Sequence, residues 1–220
     1  MVSLITDDFN RADTGISANG LGDDWDMIGA TSHRIESNRA NLQRGSGDDI
    51  GLSRHVDVLD SADHYAEVDY AGRGVGGVTS TVAGVCVRVT NSGASFSGVS
   101  FYYGWVRISG DSWVTGKVVD GSRTALASFD PSPSSYPHRT RIEAEGSTLR
   151  HIVDGTTVTT LTDTSIAGNT KVGVHGHPAR NDEPLVDNFE AGILGAPPVG
   201  PFLRTTGGYL RTGSGILRHA

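Results

Sequence analysis

The residues best placed by type and spacing to do chemistry are the acids of Glu67-Val-Asp69. Positions i and i+2 of an extended strand share a face, so these two carboxyls would stand side by side. Retaining glycoside hydrolysis needs such a pair about 5–5.5 Å apart, one ionised to attack and one protonated to donate. Glu143-Ala-Glu145 repeats the spacing. Solvated acids on an outer sheet face give the same pattern, and that is the favoured reading of both. His175-Gly-His177, followed by Asp182 and Glu183, could begin a zinc site, although the run from Gly176 to Pro184 reads more simply as a polar loop. Calcium is the one cofactor that the oxygen-rich loops would suit, at Asp23, Asp24 and Asp26 or at Asp48 and Asp49, but no twelve-residue calcium loop is present. No G-x-S-x-G occurs, and the single cysteine, Cys86, sits in an apolar run where it reads as a small core hydrophobe. Gly72-Arg-Gly-Val-Gly-Gly77 is not a phosphate loop, because no helical pattern follows it. Phe101, Tyr103 and Trp105 share one strand face, and Tyr102, Val106 and Ile108 the other. One stripe must fill the core. The other could offer a platform for a sugar ring, which makes Tyr102, Tyr103 and Trp105 the candidate carbohydrate contacts.

The elements that would hold these groups are strands. Arg139–Asp163 reads as three short strands with turns at Glu145-Gly146-Ser147 and Asp154-Gly155, since glycine accepts the positive φ of tight hairpins. Further strands are expected at Ile50–Leu59, Tyr65–Tyr70, Thr81–Thr90, Val99–Ile108, Trp113–Val119, Thr124–Phe129, Lys171–His175 and Leu185–Ala191. Their spacing is that of an all-β sandwich, and helical periodicity is nowhere sustained. The 30 glycines fit a chain of many tight turns. A net charge of −7 without a basic face in the body argues against nucleic-acid binding. The start, Met1-Val-Ser-Leu-Ile-Thr-Asp-Asp, is not expected to be a secretory signal, and no apolar run approaches the ~20 residues of a membrane helix.

Three segments follow: a sandwich over 1–194, a Pro/Gly linker over 195–201 and a tail over 202–220. The tail repeats an apolar pair plus arginine every seven residues, at Phe202-Leu203-Arg204, Tyr209-Leu210-Arg211 and Ile216-Leu217-Arg218. Intervening glycines and threonines argue for short extended pieces over a coiled coil. Apolar pairs at a fixed period suit assembly, so these nine residues are the expected contacts of a homo-oligomer or a docking partner.

Asp8-Phe9 with Arg11, Leu21-Gly22…Trp25, Tyr65-Ala-Glu-Val-Asp69, Gly84-Val-Cys-Val-Arg88, Arg141–Gly146, Val153-Asp-Gly155 and Val186–Gly192 come in an order that resembles the concanavalin A-like jelly rolls of laminin-G and glucanase type. The resemblance implies two packed antiparallel sheets with the first and last strands paired, Ile5–Phe9 beside Val186–Ala191. It implies sugar binding or a structural role as often as hydrolysis. Glucanases of this type carry a third acid on the strand, and Ala71 and Gly72 stand where it would follow Glu67 and Asp69. With the repeat tail, the chain looks like a virion protein of a tailed bacteriophage. The leading expectation is a non-enzymatic structural or adhesion protein of the minor-tail or head-decoration type, made in the host cytoplasm, with weak affinity for a host surface glycan. Its partners would be itself and other virion proteins. The alternatives are a glycan-cleaving depolymerase using Glu67 and Asp69, and a free lectin-like module.

Overall fold

The computed structural model describes residues 2–14, 20–29, 33–42, 51–73, 82–90, 95–107, 112–130, 137–177, 184–195, 204–205 and 208–209. The body is built from β1 (Leu4–Asp7), β2 (Trp25–Ile28), β3 (Arg34–Ile35), β4 (Ala40–Asn41), β5 (Gly51–His55), β6 (His64–Arg73), β7 (Val82–Val89), β8 (Phe101–Arg107), β9 (Ser112–Val119), β10 (Ser122–Phe129), β11 (His138–Glu145), β12 (Thr148–Val153), β13 (Thr156–Thr162), β14 (Lys171–His177) and β15 (Pro184–Ile193). Among the described residues these form an eight-stranded sheet, β13-β12-β11-β6-β15-β4-β3 with β1 also on β15, and a seven-stranded sheet, β10-β9-β8-β7-β14-β5-β2. The fold is an all-β antiparallel sandwich.

Local sequence explains the meander β11-β12-β13. Asp154 and Gly155 have φ of 48° and 79°, the paired left-handed geometry of a two-residue hairpin turn whose twist matches its strands. Asp120-Gly121 repeats it between β9 and β10, with φ of 47° and 77°. The expected pairing of the ends is present: β1 runs antiparallel to β15, with Leu4 opposite Gly192 and Asp7 opposite Phe189. The strand expected over Ile50–Leu59 is shorter. It ends at His55, whose Nδ1 accepts the Asp57 N–H, and Leu59 instead bridges Val2.

Alternation sends Val68, Tyr70, Val85, Val87, Tyr102, Ile142 and Leu149 between the sheets, where all are buried. A second apolar layer, including Leu52, Cys86, Phe101, Tyr103 and Trp105, lies on the side of the seven-stranded sheet turned away from its partner. Cys86 is a buried free thiol, as its apolar run suggested, and burial pushes its pKa well up. His151 links the layers: its Nδ1 meets the Thr115 hydroxyl at 3.0 Å and its Nε2 the Thr140 hydroxyl at 2.9 Å. The strands at one end of each sheet, β10 and β13, carry a β-bulge each. Register slips between Ala125 and Ala127, and again opposite His151/Ile152, leaving Leu126 and Val158 as the extra residues. Both side chains turn inward and pack on the core.

In the tail, β16 (Arg204–Thr205) pairs antiparallel with β17 (Gly208–Tyr209), so these residues are extended rather than helical. Phe202, Leu203, Leu210, Arg211, Ile216, Leu217 and Arg218 lie outside the described residues.

Candidate functional site

The segment after β1 folds into a corner around one carboxylate. Asp7 accepts the Phe9 N–H at 2.8 Å, both terminal nitrogens of Arg11 at 2.8 and 2.7 Å, and the Trp25 indole N–H at 2.7 Å. Phe9 is held at φ 48°, a costly geometry for an aromatic residue that the Asp7 hydrogen bond and complete burial sustain. Its ring lies 5.7 Å from Trp25, which meets Phe189 edge-on at 5.0 Å and His55 at 5.2 Å. Asp8, the next residue along, closes only a local turn onto the Asn10 N–H, and Asp7 is the hub.

Beside the corner, β15 carries another bulge, between Asp187 and Glu190 in its register with β6. Asn188 adopts φ 50° there, and its amide donates to Asp69 Oδ2 at 2.8 Å. Arg139 on β11 reaches across to donate to Asp69 Oδ1 and Glu67 Oε1, both at 2.8 Å. Glu190 accepts the Tyr65 hydroxyl at 2.6 Å, and burial, helped by this carboxylate, raises the Tyr65 pKa. Burial alone would lower the Arg139 pKa, but its bonds to Glu67 and Asp69 outweigh this and raise it.

Corner and bulge enclose a groove of about 810 Å³ lined by Leu4, Thr6, Asp7, Asp8, Arg11, Asp24, His55, Arg139, Asn188, Phe189 and Glu190. Asp8 and Asp24 are exposed, and no described residue donates to the Asp24 side chain. His55 is buried, which holds its imidazole pKa below the usual value. The walls thus offer carboxylate acceptors, an amide and a hydroxyl at one concavity, the donor and acceptor mix that polyhydroxylated ligands need.

The expected site residues fall in different places. Glu67 and Asp69 sit one step behind the groove, joined to it through Arg139. Glu143 and Glu145 lie further along the same outer face, paired with Arg141 and Arg150. The aromatic platform is corrected: Tyr102, Tyr103 and Trp105 are 0%, 0% and 4% exposed. Tyr102 fills the inter-sheet core and donates to Asp163. Tyr103 lies across Gly116, where a Cβ would come within 2.2 Å of its hydroxyl, and donates to the Thr124 carbonyl. Trp105 stacks on Tyr103 at 4.0 Å and on His175 at 5.0 Å, with Arg123 over its ring. The described residues of both stripes are therefore covered, and Ile108 lies outside the described residues. His175 is buried in this aromatic stack, His177 ends β14, and Asp182, Asp48 and Asp49 lie outside the described residues. Asp26 pairs with Arg54 at 3.2 Å. Among the described residues no three potential metal ligands gather.

No protein-family model and no curated protein matches the chain. Among solved structures it is similar to the carbohydrate binding module CBM66 from Bacillus subtilis (16% identity, 77% of this chain and 95% of that one, TM-score 0.58). It is also similar to a Bacillus licheniformis beta-glucanase (11% identity, 87% and 98%, TM-score 0.56) and to the carbohydrate recognition domain of Emp46p (13% identity, 77% and 88%, TM-score 0.55). At these identities the likeness establishes the fold, a concanavalin A-like jelly roll.

Proposed function

We propose that the protein is a non-catalytic carbohydrate-binding module that takes its glycan in the groove between the Asp7 corner and the β15 bulge. The carrying observation is that groove, with the exposed Asp24 carboxylate beside Asp8, Asn188 and Glu190. Support for the ligand class comes from the solved folds, which include a binding module and a carbohydrate recognition domain as well as a glucanase.

The non-catalytic part rests on Glu67 and Asp69. Three of their four carboxylate oxygens accept hydrogen bonds, from Arg139 twice and from Asn188, and the fourth faces Arg141 at 3.6 Å. With every oxygen turned toward a guanidinium or amide donor, neither carboxyl is free to be presented to a glycosidic oxygen, as cleavage requires. On a glycan array the full chain should be retained on at least one polysaccharide. Asp24→Ala should weaken that binding by about tenfold or more, the value of one hydrogen bond to a charged group, without changing the fold. The same polysaccharide should keep its chain length on prolonged incubation with wild type and Glu67→Gln alike. Cleavage lost in Glu67→Gln would establish the hydrolase instead, and an unchanged Asp24→Ala affinity would move the site elsewhere.

The setting proposed is adhesion on a phage particle through self-association, and its support is the repeat tail alone. Truncation after Leu194 should leave the β-sheet circular dichroism intact and abolish oligomerisation in sedimentation experiments. A truncated chain that still assembles would rule the tail out as the anchor.

A further inference from the structure

We infer that His55 is the sugar-reading donor of the groove: its Nε2–H bonds a free ring hydroxyl, which in turn donates to the Asp24 carboxylate, so the site discriminates against a sugar that lacks that hydroxyl. This rests on the binding function proposed above. The first observation is which ring nitrogen carries the proton. His55 Nδ1 accepts the Asp57 N–H at 3.2 Å, and an accepting ring nitrogen is bare. Burial, with Lys171 nearby, holds the imidazole pKa below its ordinary value against the opposing pull of Asp57, Asp24 and Asp7, so the ring is neutral at pH 7. A neutral ring with a bare Nδ1 holds its one proton on Nε2.

Within the protein that proton has no taker. Nε2 has no acceptor among the described residues, yet it is not sealed inside, so it opens onto the groove that the ring lines. Only 6% of His55 is exposed, which makes this a recessed donor rather than one on the rim. Its aim is fixed. The ring stands edge-on to Trp25, 5.2 Å away at 81°, and the indole N–H of Trp25 is held by Asp7. Trp25 lies opposite His55 in the β2–β5 ladder, and the residue before it, Asp24, accepts the Val56 N–H on its carbonyl at 2.9 Å. The exposed Asp24 side chain is thereby tethered beside the donor, on the same groove. A recessed N–H next to a carboxylate suits a group that accepts and donates at once. A hydroxyl does both through one oxygen, whereas an ether oxygen only accepts and an ammonium only donates. A site left with its donor unpaired discriminates strongly against the analogue without the hydroxyl.

The test is nuclear magnetic resonance on the full chain with its histidine ring nitrogens isotopically labelled, titrated with the methyl glycosides of glucose, galactose, mannose and fructose and with their monodeoxy analogues. Without sugar, His55 should show the Nε2–H form at pH 7; the Nδ1–H form would overturn the inference before any ligand is added. The His55 Nε2 signal should then move with at least one parent glycoside, and one of its monodeoxy analogues should bind about tenfold more weakly, the value of one hydrogen bond. His55→Asn keeps an acceptor where Nδ1 stood and removes the groove donor, so it should bind parent and analogue alike. His55→Gln, whose amide reaches the Nε2 position, should restore part of the preference. A sugar that binds with His55 Nε2 unmoved, or with the same preference in His55→Asn, would overturn the reading role while leaving the groove a glycan site. So would a chain retained on the glycan array whose His55 signals answer to none of these glycosides. Should His55→Asn fail to fold, the tautomer and the deoxy comparison in wild type still decide. Silence of every glycoside together with an empty array would remove the binding function itself.

Discussion

Taking the protein from pH 7 to pH 5 should cost about 2 kcal/mol of stability for each of three buried histidines, a combined loss comparable to the whole margin of an ordinary domain. His33, His64 and His151 are fully buried. Burial holds their pKa values at about 3, about 4 and about 3. An unfolded histidine titrates near 6.5, so between that value and the folded ones the unfolded chain binds protons that the native state refuses. Stability from this source is complete above pH 6.5 and is lost as pH falls toward 4. The native hydrogen bonds fit neutral rings: His64 Nε2 accepts the Arg88 N–H, which a protonated ring could not do. Urea denaturation midpoints at pH 7, 6 and 5 should fall steeply, and His151→Gln should remove about a third of the slope. A flat profile across that interval would mean that these rings are not sequestered.

Replacing Asp7 by alanine should destabilise the fold by about 2–4 kcal/mol, the cost of leaving several donors of a half-buried corner without their shared acceptor. The Asp7 side chain is only 9% exposed, and its loss strands the Arg11 guanidinium, the Trp25 indole and the Phe9 N–H together. Phe9 would also lose the bond that offsets its left-handed backbone. Asp8→Ala, one residue along, removes a single exposed turn bond and should shift stability by under about 0.5 kcal/mol. Thermal melts of the two variants, read by the near-ultraviolet signal of the buried aromatic residues, make the comparison. Similar losses in both would show that the corner is not organised around Asp7.

The sandwich was readable because its signals are local. Asp154-Gly155 and the alternation on either side are enough to write a hairpin, and the near-matching Asp7-Asp8-Phe9 and Asp187-Asn188-Phe189, in segments that carry the jelly-roll resemblance, foretold β1 against β15. The groove was not readable, because its walls meet across the chain. Arg139 looks like any charged strand residue until β11 pairs with β6 and brings it to Glu67 and Asp69, 72 and 70 residues earlier. The bulge that presents Asn188 has no sequence mark beyond an asparagine that tolerates positive φ. Alternation separated the two aromatic stripes of β8 correctly, but period two says only that they oppose each other. That both are covered depends on packing from elsewhere in the fold.

The bulges at Leu126 and Val158 set how closely these molecules can be crowded. A regular edge strand presents an even row of donors and acceptors onto which another chain can add, and β13, with its run of threonines and no charge or proline, would otherwise invite this. An extra residue breaks the row on each of the two edges. Its apolar side chain is drawn in against the core instead of being offered to a neighbour. Many copies can therefore stand shoulder to shoulder at high local density without their sheets fusing across β10 or β13.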